Sequence, residues 1–186
     1  MKKYAAFFLL FVFLTGCSSP PDEIQLGIEL RSKLLQATTC SFDCQIAADY
    51  GDKIYKFALN CTANSEGDVS FTVTEPDTIS GISGNLSGDG GNLTFDDTAL
   101  HFALMADNQL SPISAPWVLI KALRSGYMTS ACTEDGCILL SIDDSYEDNS
   151  LRLDIWLNPQ RIPNKADILF DGRRILSVSV ENFKIL

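Results

Sequence analysis

The sequence predicts an α+β domain in which one strongly curved antiparallel sheet of about eleven strands is covered by two helices. Beyond residue 39, apolar side chains recur at every second position in most segments, which is typical of half-buried strands. The connections between these segments are too short for parallel crossovers. Only residues 22–36 and 114–124 carry a helical pattern. Because a flat open sheet of eleven strands is unusual, we expect this sheet to be strongly curved.

The first sixteen residues have the features of a secretory signal peptide. Lys2 and Lys3 precede an uncharged, mostly apolar run at 4–14 that is too short to span a membrane. Leu14-Thr15-Gly16-Cys17 then matches the bacterial lipobox, whose cysteine receives a diacylglyceryl group and becomes the new N-terminus. We therefore predict that residues 1–16 are removed, that Cys17 is the lipid anchor, and that 17–21 form a lipidated tether. The alternative is an ordinary secreted chain with a cysteine at the cleavage site.

The charge balance restricts the partners of this chain. The sequence has 14 basic and 24 acidic residues and a formal net charge of −10. Loss of Lys2 and Lys3 with the signal makes the remaining chain more acidic still. Such a charge argues against a nucleic-acid partner and against docking on an anionic lipid surface.

The two helices differ in pattern. Asp22 with Gln25 resembles a capping box, and the helix that follows is apolar around most of its circumference, so it must lie against an apolar surface. The second helix has Pro116 in its first turn, ends at Gly126, and is apolar enough to be buried or to cover an apolar surface. Strands are predicted at residues 41–50, 55–61, 69–74, 78–87, 92–96, 99–104, 127–132, 137–143, 151–157, 165–170 and 174–184.

Five cysteines remain besides Cys17. Cys40 and Cys44 share a strand face with Cys61, and the turn between the strands leaves open whether Cys40, Phe42 or Cys44 lies opposite Cys61. Cys132 and Cys137 flank a turn expected at 133–136, and directly opposite positions would allow a cross-strand disulfide between them. The C-x₃-C and C-x₄-C spacings do not fit a zinc site, so no metal is expected.

Catalytic groups are sparse in the sequence. His101 is the only histidine, and we interpret it as a surface or groove residue rather than a general base. The acidic run at 143–149 lacks the spacing of a calcium loop and is interpreted as a solvated loop. We therefore predict a non-enzymatic protein with no catalytic residue and no cofactor.

The architecture resembles the LolA/LolB superfamily of lipoprotein carriers and the related mycobacterial lipid-binding lipoproteins. The segments at 76–84, 111–117, 123–126 and 171–176 also resemble a group of small lipoproteins from spore-forming bacteria. The superfamily resemblance implies a half-barrel domain over 22–186, and the predicted anchor places this domain on the extracytoplasmic side of a bacterial membrane. It also implies an apolar cavity that is closed by helices and holds acyl chains.

Two functional hypotheses follow. The first is an anchored protein that binds an acyl chain, a lipid or the lipid of a lipoprotein in this cavity. The candidate lining comes from the sheet, from the inserted helix and from one isolated tryptophan: Phe57, Leu59, Phe71, Val73, Trp117, Ile120, Leu123 and Trp156. The second is an interaction protein with a filled core that binds another envelope or spore protein.

Overall fold

The computed structural model describes residues 22–186 except 52, 96–97, 107–108 and 148–149. The predicted signal peptide, Cys17 and the tether at 17–21 lie outside the described residues. The helices are α1, Glu23–Gln36, and α2, Ala115–Ser125. None of the helices in the described ranges is long and apolar enough to cross a membrane.

The described residues form thirteen strands, which follow α1 and flank α2 along the chain. They are β1 Thr39–Asp49, β2 Ile54–Asn64, β3 Val69–Glu75, β4 Ser83–Ser87, β5 Gly90–Phe95, β6 Thr98–Phe102, β7 Met105–Ala106, β8 Gln109–Leu110, β9 Tyr127–Glu134, β10 Cys137–Asp143, β11 Leu151–Leu157, β12 Pro163–Phe170 and β13 Arg173–Ile185. Short 3₁₀ turns occupy Asp77–Ile79 and Pro112–Ser114.

Eleven of these strands form one antiparallel sheet in the order β6-β5-β4-β3-β2-β1-β13-β12-β11-β10-β9, and β7 pairs with β8 separately. The sheet is curved and unclosed, which confirms the predicted fold class. The first and last strands of the fold, β1 and β13, meet in the middle of the sheet, where Cys44 pairs with Val180. Two meanders therefore extend outward from this central pair, one from each end of the chain.

One predicted strand is wrong in extent. Residues 78–87 were expected to be continuous, but the 3₁₀ turn at Asp77–Ile79 precedes a shorter β4. Pro76, at the start of this turn, lacks a backbone N–H, and Gly81 adopts a φ of +89°, a left-handed conformation that breaks an extended run.

The inner face of the sheet, defined as the face that buries Cys44, Leu59, Val73 and Ile155, carries the core. Along β1, and along β2 from Leu59 onward, buried residues alternate with partly or fully exposed ones, as the period of two in the sequence predicted. Helix α2 packs on this face and is buried on nearly all sides, at Val118, Leu119, Ile120, Ala122 and Leu123. The core cluster runs from Leu30 to Phe183.

Helix α1 begins where predicted, since the Asp22 carboxylate accepts a hydrogen bond from the backbone N–H of Ile24. It crosses β9 and β10, and Gly27 permits a close approach there. A Cβ at Gly27 would lie 2.9 Å from Sδ of Met128 and 3.1 Å from the methyl carbons of Leu140. Leu26, Leu30 and Leu34 point into the core. The helix therefore closes the β9 side of the inner face.

The strand register shows which residue lies opposite Cys61. Phe42 lies opposite Cys61, and Cys44 is a diagonal neighbour whose Sγ is 3.8 Å from Sγ of Cys61. The expectation that Cys132 lies opposite Cys137 is wrong, because Cys132 pairs with Leu139 and Cys137 pairs with Glu134. The turn consists of Asp135 and Gly136 alone, both with positive φ, and this shifts the register from that of a four-residue loop. The predicted Cys132–Cys137 disulfide therefore lacks its geometric basis, and both thiols are free.

Candidate ligand-binding site

An apolar pocket of about 660 Å³ opens on the inner face where β1 ends and β2 begins. We call it the main pocket. Its walls come from the β1–β2 turn, from β2 and β3, and from the two 3₁₀ turns: Tyr50, Lys53, Tyr55, Phe57, Val73, Ile79, Ser111, Pro112 and Ile113. This volume lies in the range of small-molecule sites.

Strand periodicity places one wall of the main pocket. Tyr55 and Phe57 have the same parity on β2 as the buried Leu59, so they continue the inner face beyond the core. The β1–β2 turn is held by a hydrogen bond from Tyr50 N to Lys53 O (3.0 Å). A second bond runs from Gly51 N to Oδ1 of Asp49 (2.8 Å). Gly51, with a φ of +88°, allows the tight reversal that presents Tyr50 to the pocket.

The opposite wall is the 3₁₀ turn at Pro112–Ser114, which leads directly into α2. Ser111 N donates to Leu104 O, and Ser114 N donates to Ser111 O, each at 2.9 Å. The Ser114 hydroxyl adds a bond to the same Leu104 carbonyl at 3.3 Å. Ser114 is fully buried, so this turn is fixed in place and holds Pro112 and Ile113 over the end of the sheet.

The rim of the main pocket is aromatic and incompletely covered. The rings of Tyr50 and Tyr55 meet edge to face with centroids 5.7 Å apart. These side chains remain 44% and 53% exposed, and Ile79 on the neighbouring turn is 40% exposed. Large apolar side chains grouped around a concavity, and still in contact with water, are typical of a binding surface rather than of a filled core.

A second pocket, of about 350 Å³, adjoins the main pocket across Tyr50. It combines apolar residues with three charged ones and reaches the β12–β13 turn: Asp49, Tyr50, Leu110, Phe170, Asp171, Arg173, Ile175 and Leu176. Tyr50 thus divides an apolar compartment from a more polar one.

The structure brings only part of the predicted lining to the main pocket. Phe57 and Val73 line it. Four others, Leu59, Phe71, Ile120 and Leu123, are at most 3% exposed and pack inside the core. Trp117 lies at a separate pocket of about 340 Å³ between α2 and the β4–β5 turn, where Lys121 Nζ is 5.3 Å from its ring centroid.

Trp156, which the sequence placed in the candidate lining, does not line the main pocket. Its neighbours Ile155 and Leu157 are fully buried on the inner face, so Trp156 projects from the outer face. There its indole N–H donates to Glu134 Oε2 at 2.7 Å, and Lys165 Nζ lies 3.9 Å from the ring centroid. These contacts account for a tryptophan that alternates with core residues.

Sequence reasoning missed the rim residues Tyr50, Tyr55, Ile79 and Ile113. Tyr50 and Tyr55 could have been found from parity, since they share the face of Phe57 on the predicted hairpin. Ile79 and Ile113 sit in 3₁₀ turns, where no strand or helix period applies. Only their position in space connects them to the pocket.

The titratable groups of the core are thiols. Burial raises the pKa of Cys40 to about 12, partly offset by the nearby charge of Arg124. The pKa of Cys61 is raised by its hydrogen bond with Cys44 and by burial. His101 is exposed on β6. Within the described ranges, no group of three or more His, Cys, Asp and Glu residues is placed to hold a metal ion.

Comparison with known proteins finds similarity of fold. No family model matches the chain, and no curated protein matches it. A LolA superfamily protein from Nitrosomonas europaea aligns over 86% of this chain and 93% of its own, with a TM-score of 0.47 and 8% identity. A putative outer membrane lipoprotein-sorting protein domain from Vibrio parahaemolyticus aligns over 87% and 91%, with a TM-score of 0.49 and 6% identity.

A third match is the structure of the CwlD amidase from Clostridioides difficile in complex with the GerS lipoprotein. It covers 92% of this chain and 99% of the matched chain, with a TM-score of 0.44 and 11% identity. These similarities do not extend to what the chain binds.

Proposed function

We propose that this protein binds a long-chain acyl ligand in the main pocket. The observation that carries the proposal is the exposed apolar rim of Tyr50, Tyr55 and Ile79 around a concavity whose floor is Phe57 and Val73. Burial of these surfaces by an acyl chain would contribute about 25 cal/mol per Å² of apolar area. Shape and chain length, rather than specific polar contacts along the chain, would then set the selectivity.

The predicted lipid anchor complements this function. Acylation of Cys17 would hold the domain at the extracytoplasmic face of a bacterial membrane, because several acyl chains give a stable attachment. A five-residue tether spans at most about 18 Å, so the start of α1 would lie close to the membrane surface. The main pocket, at the β1–β2 turn, would then receive ligand on an anchored carrier or binder.

Two adjacent residues on β2 provide a direct test of the main pocket. Tyr55 lines it, whereas Ile54 has the opposite parity and is 63% exposed, so both positions tolerate a polar side chain. Tyr55→Asp should abolish uptake of a fluorescent fatty acyl probe by residues 22–186, and Ile54→Asp should leave it unchanged. Circular dichroism and thermal unfolding check that both variants are folded. Equal uptake by the wild type and Tyr55→Asp would remove the main pocket from the function.

A second candidate function, an interaction with an envelope protein, is favoured by the exposed apolar residues at the β6 edge of the sheet. Leu100 on the edge strand β6 and Phe95 on β5 are 60% and 57% exposed. They share one face, because Leu93 pairs with Leu100. An exposed edge strand with apolar side chains is suited to pairing with another chain. Leu100→Asp should abolish capture of such a partner without changing probe uptake, whereas a partner captured equally by this variant would exclude β6.

A further inference from the structure

A lysine at the mouth of the main pocket indicates the chemistry of the ligand's head group. We propose that the ligand is an amphiphile with an anionic oxygen head group, a carboxylate or a phosphate monoester, held by the ammonium of Lys53 while its apolar tail fills the main pocket. This inference rests on the proposed function and specifies the ligand's head group.

Among the described residues that line the main pocket, Lys53 is the one that carries a charge. This is notable in a chain with 24 acidic and 14 basic residues, where a rim of arbitrary composition would more often carry a carboxylate. Apolar pockets commonly use a small number of polar groups to orient a ligand. A lone cation at an apolar mouth complements a ligand with one anionic end.

A hydrogen bond fixes the backbone of Lys53 at the pocket mouth. The carbonyl of Lys53 accepts the hydrogen bond from Tyr50 N that closes the β1–β2 turn, so Lys53 stands at the rim between Tyr50 and Tyr55. Among the described residues, no carboxylate forms an ion pair with Lys53. Its ammonium is therefore available to a ligand without breaking an ion pair within that part of the chain.

A second cation lies on the other side of Tyr50. Arg173 lines the smaller pocket, and its Nη2 lies 3.7 Å from the position that a Cβ on Gly51 would occupy. It shares this pocket with Asp49 and Asp171, and Asp49 already accepts the backbone N–H of Gly51. Acids accompany Arg173, whereas no acid in the described part of the chain lines the main pocket, so the head group is assigned to Lys53.

The size of the effect follows from exposure. Lys53 is an exposed side chain, and ion pairs in contact with water contribute up to about 1 kcal/mol, which corresponds to about fivefold in affinity. The contribution should weaken as salt is raised, since exposed charges are screened. Affinity from the tail should not change with salt in this way.

The test compares ligands that differ only in the head group. Displacement of a fluorescent acyl probe is measured with a saturated fatty acid, its methyl ester and an alkyl phosphate of equal chain length, at low and high salt. Wild-type protein, Lys53→Gln and the control Lys184→Gln, an exposed lysine on β13, are compared. We expect the acid to bind about fivefold more tightly than the ester in the wild type and in Lys184→Gln, and equally tightly in Lys53→Gln.

The outcomes separate this inference from the function on which it rests. If the ester binds as tightly as the acid and the phosphate in the wild type, or if Lys53→Gln keeps the preference, the head-group assignment is overturned while acyl binding stands. If none of the three ligands displaces the probe, both are overturned. If the inference holds, tighter binding of the phosphate than of the acid would identify a phosphate monoester as the source of the anion.

Discussion

Arg31 and Arg124 each cap the C-terminal end of the other residue's helix. Arg31 on α1 donates to the carbonyls of Leu123 (2.8 Å), Ala122 (3.3 Å) and Gly126 (2.6 Å) at the end of α2. Arg124 on α2 donates to Leu34 O near the end of α1 (2.7 Å) and to Ser65 O in the β2–β3 turn (2.6 Å). Carbonyls at the C-terminal ends of both helices thus meet a cation, which also suits the helix dipole.

This reciprocal capping predicts that Arg31 stabilises the fold. Arg31→Ala should lower the free energy of unfolding by about 1.5–3 kcal/mol, since it removes charge-assisted bonds from partly buried carbonyls. Arg31→Lys should recover only part of the loss, because an ammonium lacks the planar fork of donors. Urea unfolding measures both variants. Arg161→Ala, which breaks only an exposed ion pair with Glu29, should cost at most about 1 kcal/mol, and an equal loss in Arg31→Ala would contradict the capping role.

Gly84 is predicted to be required for packing between β3 and β5. A Cβ there would overlap the backbone oxygen of Asn92 and lie 2.7 Å from Cζ of Phe71. Gly84→Ala should therefore destabilise the protein by about 1–3 kcal/mol or more. Gly88 in the following turn has open space around its Cβ position, so Gly88→Ala should change stability by at most about 0.5 kcal/mol. Thermal unfolding of the two variants, measured side by side, would contradict this packing if their midpoints were the same.

Trp156 is predicted to stabilise the outer face without affecting ligand uptake. Trp156→Phe removes the bond to Glu134 but keeps a ring beneath Lys165, so a loss of about 1 kcal/mol is expected. Ile155→Ala, one residue away on the inner face, should cost about 2–5 kcal/mol because it leaves a cavity in the core. Probe uptake and urea unfolding are measured together. Loss of uptake in a fully folded Trp156→Phe variant would return this residue to the site.

The buried thiol of Cys40 predicts a pH dependence of stability. Burial raises its pKa from 9.0 to about 12 in the folded protein, so above pH 9 the unfolded chain releases a proton that the folded chain keeps. Stability should then fall as the pH rises from about 9 towards 12, by about 1.4 kcal/mol per pH unit for this one group.

Comparison with Cys40→Ala isolates the contribution of Cys40 to the pH dependence of stability, because Cys61 and the other groups are present in both proteins. Urea unfolding at pH 8.5 and pH 10, with a reductant present, should show a smaller decline in the variant than in the wild type. Parallel declines would show that Cys40 does not hold its proton through this range.

Much of the fold could be predicted because most strands bury one face and expose the other. This burial produces a period of two in the sequences of β1, β2 and β3. Helix α2 is identified by a different pattern, an apolar run that begins at Pro116. Turn chemistry limited the rest. The Asp-Gly pair at 135–136 is a sequence signal for a two-residue hairpin turn, and the structure has such a turn there. The four-residue turn predicted at 133–136 therefore gave the wrong strand partners for Cys132 and Cys137.

The site was less predictable because alternation along a strand shows which face of the sheet a side chain occupies but not how deeply it is buried. Phe57 and Leu59 share the inner face of β2, yet Leu59 is buried in the core and Phe57 lines the main pocket. The difference depends on where the 3₁₀ turn at Pro112–Ser114 meets the sheet, a contact between segments far apart in the chain. Parity also left open which face Trp156 occupies, and the burial of Ile155 and Leu157 decides it.

Acyl binding in the main pocket is tested most directly by native mass spectrometry of the protein purified gently from its own host. We predict a reproducible additional mass that extracts into organic solvent as an acyl-chain compound, that is lost from Tyr55→Asp and that is retained by Ile54→Asp. A bare protein mass, together with no uptake of a fluorescent fatty acyl probe, would contradict acyl binding and direct attention to the β6 edge.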